Sequence, residues 1–439
     1  MTKSAAGPEA TPATEAHSWV WELLLRLLGA ALQIMATWAL VRVLTPDDAG
    51  VYFRGFVIAL GLSTLLRGKY EIYLAQHIIG RCAKPSGFPT GVLLMQLARR
   101  MLLRSSLLCG VLLVVTADLD IQAPQLQTVL QTYLPFVLAL PFVSLSSLMG
   151  EALRAANRTL GIVIAAYAVN LSILVAVLLA PPDASLVLYS WAFFVGSLVA
   201  AAMAAALAWH AFPVTRAEAF ASPISREVLQ AVDSRELVGM ARGVLLWGPL
   251  CILCIWAPPL EMARYAVAAR TALVVDFFLP ALNVTGCRET LLARQPELTS
   301  RRLLIGQLTA ALGYSSLLVL PLLLLAPETL RFYGMPYDAQ VTIYALLLCV
   351  QWANGVGRPA VRQAVVASDA RRIGVTLGSG ALAVVLVCAL GVTTYGALAA
   401  AAASLVGALI VNARAIIMAL SDRHPGESQP GSASPRGSV

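Results

Sequence analysis

Twelve apolar stretches, separated by short polar turns, constrain this chain more than any other feature. They fall at about 19–43, 50–66, 101–117, 130–149, 159–180, 187–209, 238–257, 263–283, 303–325, 341–356, 372–392 and 395–419. A bilayer core takes about 20 apolar residues of helix to cross, and hydrocarbon offers no partner to a bare peptide group, so stretches of this kind are expected to be helices. Charged residues make up only 12% of the chain and hydrophobic ones 59%. A soluble domain carries about 25% charged residues, and no soluble fold has room to hide so much apolar surface. The expected fold is all-α and membrane-embedded, with about twelve transmembrane helices.

The longest charged interruption, near 212–236, carries Arg216, Glu218, Arg226, Glu227, Asp233, Arg235 and Glu236. It leaves six apolar stretches on each side. The expected organisation is a polar tail at 1–18, a first six-helix lobe at 19–211, a linker at 212–237, a second six-helix lobe at 238–420 and a polar tail at 421–439. Both tails are rich in small and polar residues and are expected to be disordered. The first lacks the basic start and short apolar core of a cleavable signal. Basic residues gather in alternate loops, among them Arg67, Lys69, Arg99, Arg100, Arg154, Arg158, Arg288, Arg294, Arg301, Arg302, Arg358, Arg371 and Arg372. The positive-inside rule places those loops, the linker and both termini in the cytoplasm. The opposite loops carry Asp47, Asp48, Asp118, Asp120, Asp183, Glu261 and Asp338.

The two sides of the linker also read as a parallel repeat. Pro46-Asp47-Asp48 leads to Tyr52, and Pro259-Leu260-Glu261 leads to Tyr265, with proline, acid and tyrosine at matching offsets. Arg99-Arg100 opens the third helix as Arg301-Arg302 opens the ninth; Gly150 and Gly357, each followed by arginines, close the fourth and tenth. Repeats of this kind suit transporters whose halves rock about a central site.

Other chemistries find little support. Cys251 and Cys254 form a CxxC inside an apolar helix with no second pair of ligands, so they read as small core residues and no metal is expected. The four histidines are scattered, and neither a phosphate-binding loop nor a nucleophile or zincin motif occurs. Asp118-Leu119-Asp120 has the spacing of a metal-dependent glycosyltransferase, but two aspartates at a helix end are the ordinary furniture of a solvated loop. No cofactor and no catalytic residue is expected. Gly239-x-x-x-Gly243 and Gly374-x-x-x-Gly378 permit close helix packing.

The stretch LLGAALQIMATWALVRVLTPDDAGVYFRGFVIALGLSTLL, with its Leu44-Thr45-Pro46-Asp47-Asp48-Ala49-Gly50-Val51-Tyr52 corner, resembles the opening of the polysaccharide (Wzx-type) flippases of the multidrug/oligosaccharidyl-lipid/polysaccharide (MOP) exporter superfamily. The segment ARYAVAARTALVVDFFLPAL is similar to the second-half counterpart, and GEALRAANR to the loop after the fourth helix. Many relatives read Gly-Leu near the end of the second helix, where this chain has Arg67-Gly68-Lys69-Tyr70-Glu71. The resemblance implies two six-helix lobes around a central cavity that opens alternately to each face. It also implies movement of a lipid-linked (polyprenyl pyrophosphate) oligosaccharide across a bacterial inner membrane for exopolysaccharide synthesis, alongside a polysaccharide polymerase and a chain-length regulator. The alternatives are a membrane polymerase or ligase, disfavoured by the short outward loops, and a drug exporter of the same superfamily.

A pyrophosphate headgroup needs cations in an otherwise apolar cavity, and the planar, always-charged guanidinium binds phosphate bidentately. Arg26 in the first helix, Arg54 just inside the second and Arg270 deeper in the eighth are the candidate substrate-binding residues. Snorkelling to nearby headgroups is the plainer role for the first two. By the repeat, Arg54 and Arg270 are placed to face one another. Asp276, near the middle of the eighth helix, is the candidate ion-coupling residue, with neutralisation of an arginine as its alternative.

Overall fold

The structure, a computed structural model, describes residues 12–83, 90–122, 127–156, 160–181, 184–214, 226–279, 299–334, 337, 340–367 and 370–421. The far tails, residues 215–225 and the arginines at 288 and 294 lie outside them. So do the side chains of Glu22, Asp118, Asp120, Arg301 and Arg302. Before the linker come α1 (Pro12–Val43), α2 (Pro46–Ala83), α3 (Thr90–Gln122), α4 (Gln127–Ala155), α5 (Leu160–Leu179) and α6 (Leu186–Ala211). A short helix, α7 (Arg226–Asp233), leads into α8 (Glu236–Trp256). Then follow α9 (Pro259–Ala272), α10 (Val274–Phe278), α11 (Thr299–Leu324), α12 (Ala326–Arg331), α13 (Val341–Ala367), α14 (Ala370–Tyr395) and α15 (Ala397–Ser421). Among the described residues, and taking α9 and α10 as one broken rod, six long rods precede α7 and six follow it.

Among the described residues, eight helices are long and apolar enough to cross a membrane, and the chain is a multi-pass membrane protein. The α9–α10 rod falls short of that measure because it is interrupted at Leu273 and carries Glu261, Arg264, Arg270 and Asp276. The second and tenth rods outrun the apolar stretches that mark them in the sequence. α2 continues past residue 66 through Arg67-Gly68-Lys69-Tyr70-Glu71, and α13 continues past residue 356 through Arg358. Hydropathy ends where charge begins, but helical hydrogen bonding does not, and these charges have partners within the protein.

Helix packing repeats across the linker. In the first half α1 packs on α5, α2 on α4, α3 on α4, and α6 on both α4 and α5. In the second, α8 packs on α14, α9 on α13, α11 on α13, and α15 on both α13 and α14. Matching the halves in chain order reproduces each of these pairings, as a parallel repeat requires. The contacts between halves obey the same symmetry. α1 meets α9 and α10, α8 meets α2, and α2 meets α9. Exchanging the halves turns the first contact into the second and the third into itself.

The repeated corner lies on that axis. Pro46 and Pro259 each open a helix, where the missing N–H costs nothing. Tyr52 and Tyr265 are both buried in the shared core. Gly50 sits against the backbone at the start of α9: a Cβ there would lie 1.9 Å from the Pro259 carbonyl oxygen. No side chain fits, and main chain cannot step aside as a flexible side chain can. Gly50→Ala is expected to lower thermal stability in detergent by about 1–3 kcal/mol. Gly110→Ala, where a Cβ meets nothing within 4 Å, serves as the control and should leave the melting curve in place.

Candidate functional site

The seam between the halves is built largely from side chains of α1 and α2 that donate to backbone carbonyls of the second half. A helix end leaves its last carbonyls without N–H partners, and inside a membrane no water stands by to replace them. Arg54 of α2 donates to Ala257 O, the capping residue of α8. Gln33 of α1 donates to Arg270 O at 2.7 Å, just before the break at Leu273. Arg26 donates to Phe277 O at 3.0 Å, at the end of α10. Trp38 and Arg42 donate to Phe332 O, the capping residue of α12, at 3.1 and 3.3 Å. The Trp38 ring also stacks on Phe332 with centroids 5.4 Å apart. For the cations among these donors, the negative end of the helix dipole adds attraction to the hydrogen bond.

Arg270 differs from the other seam arginines. At 1.5 Å rise per residue it lies about 16 Å from the start of α9, near the middle of a bilayer core about 30 Å thick. Its Nε donates to Thr37 Oγ1 at 2.8 Å and its Nη2 to Asn170 Oδ1 at 3.0 Å, which ties it to α1 and α5 of the first half. The guanidinium lies over the Phe56 ring of α2, 4.8 Å from its centroid. Thr37 is itself held by a bond to Gln33 O. The Tyr52 and Tyr333 phenols are near enough to feel the charge, and the Tyr52 hydroxyl is buried without a hydrogen-bond partner. No carboxylate among the described residues pairs with Arg270, and its Nη1 is given to none of them. A cation at this depth, oriented by neutral oxygens and an aromatic face, has the chemistry to bind an anion.

Asp276, six residues further on, is paired with Arg358 of α13. Its carboxylate side chain remains 45% exposed and that of Arg358 28% exposed. The sequence places Arg358 among the loop cations because the apolar run ends at about residue 356. The continuation of α13 brings it inside the bundle, 82 positions along the chain from its partner. Of the alternatives open for Asp276, the structure displays the arginine pairing. Arg26 bonds the very next residue, so Arg26, Asp276 and Arg358 gather at one level, nearer the arginine-rich end of the molecule.

The three candidate arginines therefore all lie on the seam, and each has its own partners. Arg54 and Arg270 do not meet face to face. Arg54 turns toward the end of α8, while Arg270 turns inward to Thr37, Asn170 and Phe56. By the repeat, the position matching Arg54 is Val267, not Arg270, which explains their different levels. Asn170, Thr37 and Gln33 were not legible as site residues, being single polar groups in apolar helices. Their only sequence signal is a hydrogen-bonding side chain at membrane depth. Gly239 lies against Gly68, the close approach its Gly-x-x-x-Gly spacing permits; a Cβ on Gly378 would meet nothing within 4 Å.

No family model matches the chain, and no curated protein does. Solved structures do. A MOP superfamily transporter from Pyrococcus furiosus, described by a binding pocket of reverse polarity, superposes with a TM-score of 0.66 over 91% of this chain and 93% of its own, at 12% identity. The lipid II flippase MurJ in an inward closed conformation gives 0.63 over 91% and 87%, at 11% identity. A mutant of the MATE transporter VcmN of Vibrio cholerae gives 0.63 over 92% and 95%, at 15% identity. The chain has the all-α membrane-transporter fold of these structures.

The Asp276–Arg358 pairing has a measurable consequence. Asp276→Asn and Arg358→Gln should each destabilise the protein in thermal unfolding, and the double variant should lose less than their sum, with a coupling of about 1 kcal/mol. Coupling near zero would mean that the carboxylate is free for another task, such as binding an ion.

Proposed function

We propose that this chain is an inner-membrane transporter that flips or exports a lipid-linked oligosaccharide for exopolysaccharide assembly by alternating access, with no covalent chemistry. The observation that carries this reading is Arg270: a guanidinium between the halves, at mid-membrane depth, oriented by Thr37 and Asn170 and without a carboxylate partner among the described residues. A polyprenyl pyrophosphate headgroup is the anion that such a group suits, because one guanidinium bonds two phosphate oxygens at once. Arg26 and Arg54 add cations along the same seam. The lobes are 19–211 and 238–420, joined by the linker at 212–237, and the arginine-rich end with both termini faces the cytoplasm. A polymerase and a chain-length regulator are the expected protein partners.

The fold accommodates more than one cargo, since its neighbours include a lipid II flippase and a MATE transporter. Charge favours the anionic one. A cation carrier needs an accessible acid at membrane depth, and Asp276 is tied to Arg358. The Pyrococcus furiosus neighbour, whose binding pocket of reverse polarity suggests a different function, is compatible with cargo charge varying within this fold.

Reconstitution into liposomes carrying a fluorescent polyprenyl-pyrophosphate oligosaccharide tests the reading. Wild-type protein is expected to make the inner-leaflet lipid accessible to an external quencher. Arg270→Gln should slow this at least about tenfold, the scale expected for a lost charge-assisted contact, with unchanged melting temperature, while Arg270→Lys retains part of the rate. Normal flipping by a well-folded Arg270→Gln protein would remove the arginine from its role. Failure of the wild type to flip this lipid, combined with export of a cationic dye, would move the protein to the drug exporters.

A further inference from the structure

One face of α13 carries polar side chains that the central arginine does not use. At about 100° per residue, Gln351, Asn354 and Arg358 fall within about 60° of one another around the helix. Gly355 of the same helix packs against Leu279, just past α10. That contact sets the level: Gln351, about one turn before Gly355, stands opposite Val275. Helical side chains lean toward the start of their helix, and Arg358 leans back in this way to reach Asp276. Two amides, a guanidinium and a carboxylate therefore share one level, about 7 Å along the axis from Arg270. Arg154 of α4 is near enough to feel the Asp276 charge, so this patch looks across the seam at the first half.

The amides are set up with hydrogen-bonding capacity to spare. Asn412 of α15 donates from Nδ2 to Ala408 O at 2.8 Å and to Asn354 Oδ1 at 3.1 Å. The Asn412 nitrogen has then spent both of its N–H groups, and Asn354 must show it oxygen, which turns the Asn354 N–H groups away. Gly357 makes room for this arrangement, since a Cβ there would lie 2.0 Å from Asn412 Oδ1. Those Asn354 N–H groups are given to none of the described residues. Gln351 is only 9% exposed, and it too bonds none of them. Polar side chains in membrane helices commonly join one helix to another. Asn412 and Asn354 do so; Gln351 does not.

Charge decides what such a patch suits. Asp276 and Arg358 cancel and the amides are neutral, so the patch has no net attraction for an anion. Its groups match hydroxyls, which donate to a carboxylate or amide oxygen and accept from an amide or guanidinium. Arg270, with its uncancelled charge, matches phosphate. We propose that Gln351 and Asn354, beside Asp276 and Arg358, hold the first sugar of the lipid-linked cargo through its hydroxyls while Arg270 holds the phosphate to which it is joined. This rests on the reading of the cargo as a lipid-linked oligosaccharide, and it adds the residues that tell a sugar-bearing lipid from a bare one.

The test compares equilibrium binding, by protein in nanodiscs, of bare polyprenyl pyrophosphate and of the same lipid carrying glucose, galactose or N-acetylglucosamine. Wild-type protein is expected to bind at least one sugar-bearing lipid about tenfold more tightly than the bare one, the scale of one or two added hydrogen bonds. Gln351→Leu and Asn354→Leu should each cut that preference about threefold, and together they should bring it close to one. Arg270→Gln should weaken bare and sugar-bearing lipid alike and keep their ratio. A purely structural role for the amides would lower the melting temperature, or both affinities together, and leave the ratio unchanged, which overturns the proposal. So would equal wild-type affinity for the bare lipid and all three sugar-bearing ones. That second result leaves the anionic-lipid reading standing, whereas failure to bind any pyrophosphate lipid rejects the cargo reading and the sugar site with it.

Discussion

The carbonyls freed where the second-half helices stop are the constraint on which the rest of this structure depends. A helix that ends in water leaves its last carbonyls to the solvent; one that ends or breaks within a membrane protein must find donors elsewhere. α8, the α9–α10 break and α12 all end at the seam, and Arg54, Gln33, Arg26, Trp38 and Arg42 supply the donors. The first half thus holds the second through its main chain. Arg270, by contrast, lends its charge to no helix end and no acid among the described residues.

The seam also explains why the halves resemble one another in packing yet not in chemistry. Each half repeats the same helix pairings, and each begins its second rod with a proline and buries a tyrosine one and a half turns later. The repeat stops at the level of side-chain function. The donors to helix ends come from α1 and α2, while their symmetry mates in α8 and α9 contribute acceptors and the inward-turned arginine. A structural repeat with unequal chemistry is what the proposed movement of the halves about one cargo would draw on.

Much of the fold was legible in the sequence because membrane helices announce themselves by uninterrupted hydropathy. The helix starts at Pro46 and Pro259 were readable from the matching offsets of proline, acid and tyrosine. The lengths of α2 and α13 were not, because charge ends a hydropathy signal without ending a helix. Arg26, Arg54 and Arg270 stood out as charges in apolar surroundings, but their partners did not. A backbone carbonyl has no letter in the sequence, and Arg358 is separated from Asp276 by 82 positions of chain. The charged turn around Lys69 registered only as a departure from a familiar pattern, since a run of mixed charge usually marks a solvated surface.

Docking onto carbonyls has an evolutionary consequence. An acceptor that belongs to the main chain survives almost any substitution of the residue that carries it. Ala257, Phe277 and Phe332 are thus free to drift without losing the bond, provided their helices still end in the same place. Selection at this interface acts on the donors of one half and on the end points of helices in the other. Pairs of co-varying residues, the usual trace of a contact in aligned relatives, are therefore expected to be sparse along the seam. They should instead concentrate around Lys69, whose ammonium is paired with Asp233 and Glu236 and where side chain meets side chain.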